Sequence, residues 1–106
     1  MKAKTAMKLV RDELDRARAA HGPMASCHEG YAVLLEEMDE LWVEVKAGNG
    51  TSHRAVSEAV QTAAMALRYL VDLCDETAVA AHEAKVAEHT RRPEGERFYG
   101  SGGYSG

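Results

Sequence analysis

The chain has 106 residues, of which 45% are hydrophobic and 28% are charged, and its formal net charge at pH 7 is −4. This length fits one small domain, and the acidic balance without a basic stripe argues against binding to the phosphate backbone of nucleic acids. Arg68 and Asp72 interrupt the most hydrophobic stretch, so no apolar run reaches transmembrane length and we expect no membrane partner.

The composition favours helices, because alanine is abundant and both Gly and Pro are scarce before residue 90. The first helix is predicted from about Lys4 to Ala20, where apolar residues recur at helical spacing. The sequence His21-Gly22-Pro23 ends this helix, since Pro cannot continue the hydrogen-bond ladder.

The second helix begins at a clear local signal. Ser26 and Glu29 have the spacing of a capping box, in which each side chain accepts a hydrogen bond from a free backbone N–H at the helix start. We expect this helix to extend to about Ala47 and to end at the turn Gly48-Asn49-Gly50. Its apolar residues lie on one side, which we expect to face the core: Tyr31, Leu34, Leu35, Met38, Leu41, Trp42 and Val45.

The third helix is predicted to begin near Thr51 or Ser52. Apolar residues cover more than one of its faces, so this helix needs more than one partner helix. The helical pattern continues to about His89, which is unusually long for one helix of a globular domain. We therefore expect a kink or a separate fourth helix near Asp75.

These elements predict an all-α fold, an antiparallel bundle of three to four helices per chain whose core is completed by homo-oligomerisation, as a homodimer or homotetramer. We place the helical domain at residues 1–89. Residues 90–106 change to Arg, Gly, Ser and Tyr, a composition that predicts a flexible tail. Cys27 and Cys74 fit no metal-binding or redox spacing, and without a secretory signal they indicate a reduced, cytoplasmic protein.

Acidic side chains are concentrated on the second helix. No Lys or Arg stands four residues after any of them, so like charges repel along the helix. A bound Mg²⁺ would relieve this repulsion, because Mg²⁺ selects carboxylate oxygens, whereas a solvated acidic face is the alternative interpretation. Glu58 and Gln61 of the third helix would approach these carboxylates if the two helices pack antiparallel. Five carboxylates of the second helix lie on one side of it, beside its apolar side: Glu29, Glu36, Glu37, Glu40 and Glu44.

The acidic residues resemble the motifs of a known family. Glu36-Glu37-Met38-Asp39-Glu40 matches the E-E-x-x-E motif of MazG-like all-α nucleoside triphosphate pyrophosphohydrolases. Glu58-Ala59-Val60-Gln61 stands where that family has E-x-x-D. The stretches 28–37 and 63–66 also look like a MazG-like subgroup found in phage and bacterial genomes. The resemblance covers about residues 25 to 75.

This resemblance implies an enzyme that cleaves NTPs or dNTPs between the α and β phosphates, releasing a monophosphate and pyrophosphate with Mg²⁺, or alternatively Mn²⁺, as cofactor. By the same resemblance, Glu36, Glu37, Glu40 and Glu58 are the catalytic and metal-binding residues. Gln61 occupies the fourth metal position, where the family has Asp. Because an amide is neutral and cannot act as a base, a catalytically weak or inactive nucleotide-binding or regulatory module is the alternative function.

Three further residues are weaker candidates for binding the substrate. Lys46 and Arg68 are the nearest cations that could steady a polyphosphate, although solvent exposure is the ordinary state of both side chains. His28 precedes the motif by two helical turns and could contact phosphate, although a surface histidine is the more common outcome.

Overall fold

The computed structural model describes residues 1–90, which form four helices and no strand. These are α1 (Ala3–Ala20), α2 (Cys27–Lys46), α3 (His53–Leu73) and α4 (Glu76–Thr90). The all-α prediction is confirmed for this part of the chain. The expected tail lies, apart from Thr90, outside the described residues. Within residues 1–90, none of the helices is both long and apolar enough to cross a membrane.

Side-chain caps start the second and third helices. The Ser26 hydroxyl accepts a hydrogen bond from the Glu29 N–H at 3.1 Å, as the sequence predicts. The Glu29 carboxylate bonds back to the N–H of Ala25 rather than to that of Ser26. Ser52 caps α3 in the same way, accepting from the Ala55 N–H at 3.2 Å. These bonds satisfy donors that helix geometry leaves free, and so fix where both helices begin.

The core of the unit Met1–Cys74 forms around α3, which packs against both α1 and α2. Small residues allow close approach at these contacts, and Gly30 on α2 lies directly against the ring of Tyr69 on α3. The buried residues of this core come from α1, the α1–α2 connection and α3: Leu14, Ala17, Met24, Ala64 and Met65.

The expectation that the apolar side of α2 faces the core is wrong for most of its residues. Tyr31 is 63% exposed, Met38 51% and Trp42 55%, whereas Leu34 and Leu41 are half-buried. The physical reason is that α2 packs on α3, and one partner helix covers only a narrow strip of its surface. The exposed residues of α2 therefore form an apolar strip beside that contact.

The helical pattern breaks after α3, as predicted. The Cys74 N–H bonds to the Leu70 carbonyl at 3.2 Å, and the backbone then leaves helical geometry. Asp75 begins a second unit and caps α4, because its carboxylate accepts hydrogen bonds from the N–H groups of Thr77 at 3.1 Å and Ala78 at 3.2 Å.

Candidate metal centre

Three glutamates from two helices converge in the unit Met1–Cys74. Glu37 and Glu40 lie one turn apart on α2, and Glu58 projects from α3. One carboxylate oxygen from each residue lies within 4.8 Å of the others. We refer to these three residues as the carboxylate cluster. Its spacing suits three oxygens that share one divalent cation.

The carboxylate cluster is partly shielded from water. Glu37 and Glu58 are half-buried, whereas Glu40 is exposed. One oxygen of Glu37 and one of Glu58 are buried without a hydrogen-bond partner among the described residues. Within residues 1–90, no Lys, Arg or His forms an ion pair with any of the three. Such oxygens are expensive to bury unless a proton or a cation satisfies them.

The electrostatics of the carboxylate cluster favour protonation. Burial raises the pKa of Glu37, and the charges of Glu40, Glu58, Glu36 and Glu13 raise it further. Burial also raises the pKa of Glu58, and the approach of Glu40 adds to this effect. A divalent cation would reverse both shifts, because an adjacent positive charge favours the ionised carboxylate.

A polar cavity of about 440 Å³ adjoins the carboxylate cluster. It lies between α1, the α1–α2 connection, α2 and α3, and Glu37 belongs to both the cavity wall and the cluster. Glu36 and Gln61 line this polar cavity and are not in the cluster. Its wall also has apolar patches, so it offers contacts to both parts of an amphipathic ligand. These patches come from Met24, Val33 and Met65.

Arg68 is buried at the wall of the polar cavity, contrary to the exposure expected from sequence. It is only 8% exposed and donates a hydrogen bond to the Gly22 carbonyl at 2.8 Å. Its Nε lies 3.5 Å from Oδ2 of Asp72, which also accepts a hydrogen bond from the Met24 N–H at 3.0 Å. The pair thus ties the α1–α2 connection to α3 and shapes this wall.

The other two weak candidates lie away from this wall. Lys46 stands over the Trp42 ring, with its Nζ 5.7 Å from the ring centroid, and it is exposed. His28 is exposed in the first turn of α2. In the described part of the chain, neither residue lines the polar cavity. Both residues therefore lie outside the polar cavity and the carboxylate cluster.

Sequence reasoning missed two residues of α1 that line the polar cavity. Arg16 donates two hydrogen bonds to the Glu13 carboxylate, at 2.8 Å and 2.5 Å, which lowers the pKa of Glu13. The sequence signal that could have indicated Glu13 is its position, because it is next to Leu14 and one turn from Ala17. Both of those neighbours are core positions, so α1 had to carry Glu13 towards the interior.

No protein-family model, curated protein or solved structure significantly matches this chain. Within the described residues, the carboxylate cluster and the adjoining polar cavity are the features of this unit that suit a ligand. Both features are compatible with a ligand that binds through a metal ion, because the carboxylates lack basic partners and lie beside a cavity of ligand size.

Proposed function

We propose that this protein is a Mg²⁺-dependent nucleoside triphosphate pyrophosphohydrolase of the MazG-like kind. It would hydrolyse an NTP or dNTP between the α and β phosphates to give a nucleoside monophosphate and pyrophosphate. The observation that carries the proposal is the approach of Glu58 to Glu37 and Glu40 across the α2–α3 contact. Had Glu58 faced away from α2, the two motifs could not share a site.

The carboxylate cluster has the donors that a hard cation needs. Glu37, Glu40 and Glu58 would hold Mg²⁺, and their buried oxygens without partners fit that role. A Mg²⁺ ion held there would supply positive charge for the phosphate oxygens and make the attacking water more acidic. Glu36 is exposed at the polar cavity next to Glu37, which leaves its carboxylate available to accept the proton of the attacking water.

The polar cavity would receive the nucleoside end of the substrate. Its volume lies within the range of about 300 to 1,000 Å³ that is usual for small-molecule sites. Arg16 and Arg68 line the same wall, where Glu13 pairs with Arg16 and Asp72 with Arg68. The exposed Lys46 and His28, outside this wall, remain weaker candidates for contacting phosphates. This arrangement separates a carboxylate end for the metal from a mixed polar and apolar end for the nucleoside.

A pyrophosphate-release assay over all eight common NTPs and dNTPs, with Mg²⁺ or Mn²⁺, tests the reaction. We expect release from at least one nucleotide and a loss of about 100-fold or more in Glu37→Gln, because removal of a metal-binding or catalytic group costs this much or more. Asp39→Asn is the matched control, since Asp39 is exposed on α2 outside the carboxylate cluster. Absence of release from every nucleotide would overturn the proposed reaction.

A second function, nucleotide binding with little or no turnover, is favoured by one observation. Gln61 stands at the position where the motif of the MazG-like family has Asp, so the site has one negative charge fewer. Gln61→Asp discriminates between the two functions. A large gain in turnover would indicate that Gln61 limits catalysis in the natural protein, which favours the binding function. Unchanged turnover would show that an amide at this position is compatible with catalysis. A merely structural helical bundle would show no change in Tm on addition of Mg²⁺.

A further inference from the structure

Gln61 lies where the carboxylate cluster meets the polar cavity. It follows Glu58 by one helical turn, so the two side chains share a face of α3. Glu58 belongs to the carboxylate cluster, whereas Gln61 lines the polar cavity together with Glu37 and Met65. Gln61 is half-buried, which places a neutral amide at the inner wall of the space that a nucleoside would occupy.

The chemistry of an amide suits this wall better than that of a carboxylate. Glu36 and Glu37 already bring negative charge to the polar cavity, and within residues 1–90 no basic side chain forms an ion pair with either of them. A carboxylate at position 61 would add repulsion and would only accept hydrogen bonds. The glutamine amide adds no charge and offers two donors and an acceptor side by side. Nucleobase edges present the matching pattern, an acceptor next to a donor.

We infer that Gln61 is a specificity-determining residue whose side-chain amide hydrogen-bonds the edge of the nucleobase and does not ligate the metal ion. The inference rests on the proposed function, because that function places the nucleoside in the polar cavity. It goes further by assigning to one residue of this chain the selection among bases.

The composition of the chain allows a direct test by NMR. Gln61 is the only glutamine and Asn49 the only asparagine, so each gives a unique pair of side-chain amide signals. Free 2′-deoxynucleosides, added to isotope-labelled protein without metal, should shift the Gln61 amide signals. The Asn49 signals should stay in place, because Asn49 lies in the turn between α2 and α3. Deoxyribose alone should leave both pairs unchanged.

Three results would overturn the inference. One is a Gln61 amide that no nucleoside shifts. Another is an equal shift with deoxyribose, which would assign the contact to the sugar. The third is a large shift of the Gln61 amide with Mg²⁺ alone, in the absence of nucleoside, because this would make the side chain a metal ligand. The expected result with Mg²⁺ alone is a shift of the backbone signals of Glu37 and Glu58.

Kinetics supply a second measurement. Gln61→Met keeps the length of the side chain and removes its hydrogen bonds, so kcat/KM for the preferred nucleotide should fall about ten-fold and the preference among bases should flatten. The Mg²⁺-induced rise in Tm should persist. Ser57→Ala, an exposed change on the same helix, is the control. An unchanged base preference in Gln61→Met overturns the assignment.

The two proposals can fail separately. If the protein releases no pyrophosphate but nucleosides shift the Gln61 amide signals, the proposed hydrolase activity is wrong and the proposed contact between Gln61 and the base stands. If pyrophosphate is released while the Gln61 amide is insensitive to nucleosides, the hydrolase stands and the base contact is wrong.

Discussion

Glu37 is the residue at which burial and like charge conflict most directly. Its carboxylate is half-buried, one of its oxygens has no hydrogen-bond partner among the described residues, and the charges of four other carboxylates raise its pKa further. A structural role alone does not account for such a residue, because a neutral side chain of the same size would fit without the repulsion. This cost is expected where a cation completes the site.

The raised pKa values of Glu37 and Glu58 predict how the stability of the metal-free protein depends on pH. A carboxyl whose pKa is higher in the folded state binds its proton more tightly there than in the unfolded chain. Stability is therefore lost as pH rises from the ordinary value of 4.5 through the raised value, and stays lower above it. Glu37→Gln removes this effect, so its Tm should exceed that of the wild type by a few degrees at neutral pH and not at about pH 4.

Thermal denaturation with a chelator, at both pH values, checks this prediction. Added Mg²⁺ should raise the Tm of the wild-type protein at neutral pH and have little effect on Glu37→Gln. Asp39→Asn removes the same charge from an exposed position outside the carboxylate cluster. It should keep the Mg²⁺-induced rise in Tm and should not show the gain in Tm at neutral pH that is expected for Glu37→Gln. The same Tm difference between wild type and Glu37→Gln at both pH values would contradict the pKa argument.

At the scale of elements, the close contact between α2 and α3 depends on Gly30. A Cβ at this position would lie 2.6 Å from Cδ2 of Tyr69 and 2.9 Å from Cδ1 of Leu73, so either these side chains or the two helices would have to shift. Overpacking of this kind costs about 1–3 kcal/mol, whereas the better helix propensity of Ala returns about 1 kcal/mol. Gly30→Ala should therefore destabilise the protein by about 1 kcal/mol, as measured by urea denaturation.

Gly22→Ala is the matched control for this change. A Cβ at position 22 would meet nothing within 4 Å, so this variant should unfold at the wild-type urea concentration or slightly above it. Because the carboxylate cluster depends on the same α2–α3 contact, Gly30→Ala should also weaken the Mg²⁺-induced rise in Tm. A Gly30→Ala protein of wild-type stability would show that the contact between α2 and α3 accommodates a methyl group without cost.

The limits of prediction from sequence are clearest at this scale. Helix starts and the break near Asp75 could be predicted because capping residues and turns act on their immediate neighbours. Burial could not, since it depends on which helices pack together: Trp42 lies on the apolar side of α2 and is still more than half exposed. Arg68 is buried for the same reason, because its hydrogen-bond partner Gly22 reaches it only in the folded chain.

The candidate site was partly predictable on the same grounds. Glu37 and Glu40 share a face by helical spacing, and the short turn between α2 and α3 keeps Glu58 close to them. The polar cavity is different, because its wall combines residues from three helices and a connection. Glu13 and Arg16 on α1 therefore could not be assigned to it from periodicity alone.

At the scale of the whole molecule, the unit Met1–Cys74 leaves much apolar surface exposed. Contiguous apolar surface of this kind usually marks an interface. We therefore propose that the chain forms a homodimer or homotetramer with α2 at the centre of the interface. The exposed apolar strip of α2 consists of Tyr31, Leu35, Met38, Trp42 and Val45.

Sedimentation of the full chain tests this assembly. The wild type should sediment as a dimer or tetramer, and Trp42→Glu should shift it towards monomer with a lower Tm, because an unpaired carboxylate is costly to bury in an interface. Val43→Glu is the matched control, since Val43 is similarly exposed but lies about 100° around the helix from Trp42, outside the apolar strip of α2. Equal dissociation by both substitutions would remove the strip from the interface, and a stable wild-type monomer would end the oligomer proposal. Monomeric Trp42→Glu should still show the Mg²⁺-induced rise in Tm, because Glu37, Glu40 and Glu58 converge within a single chain.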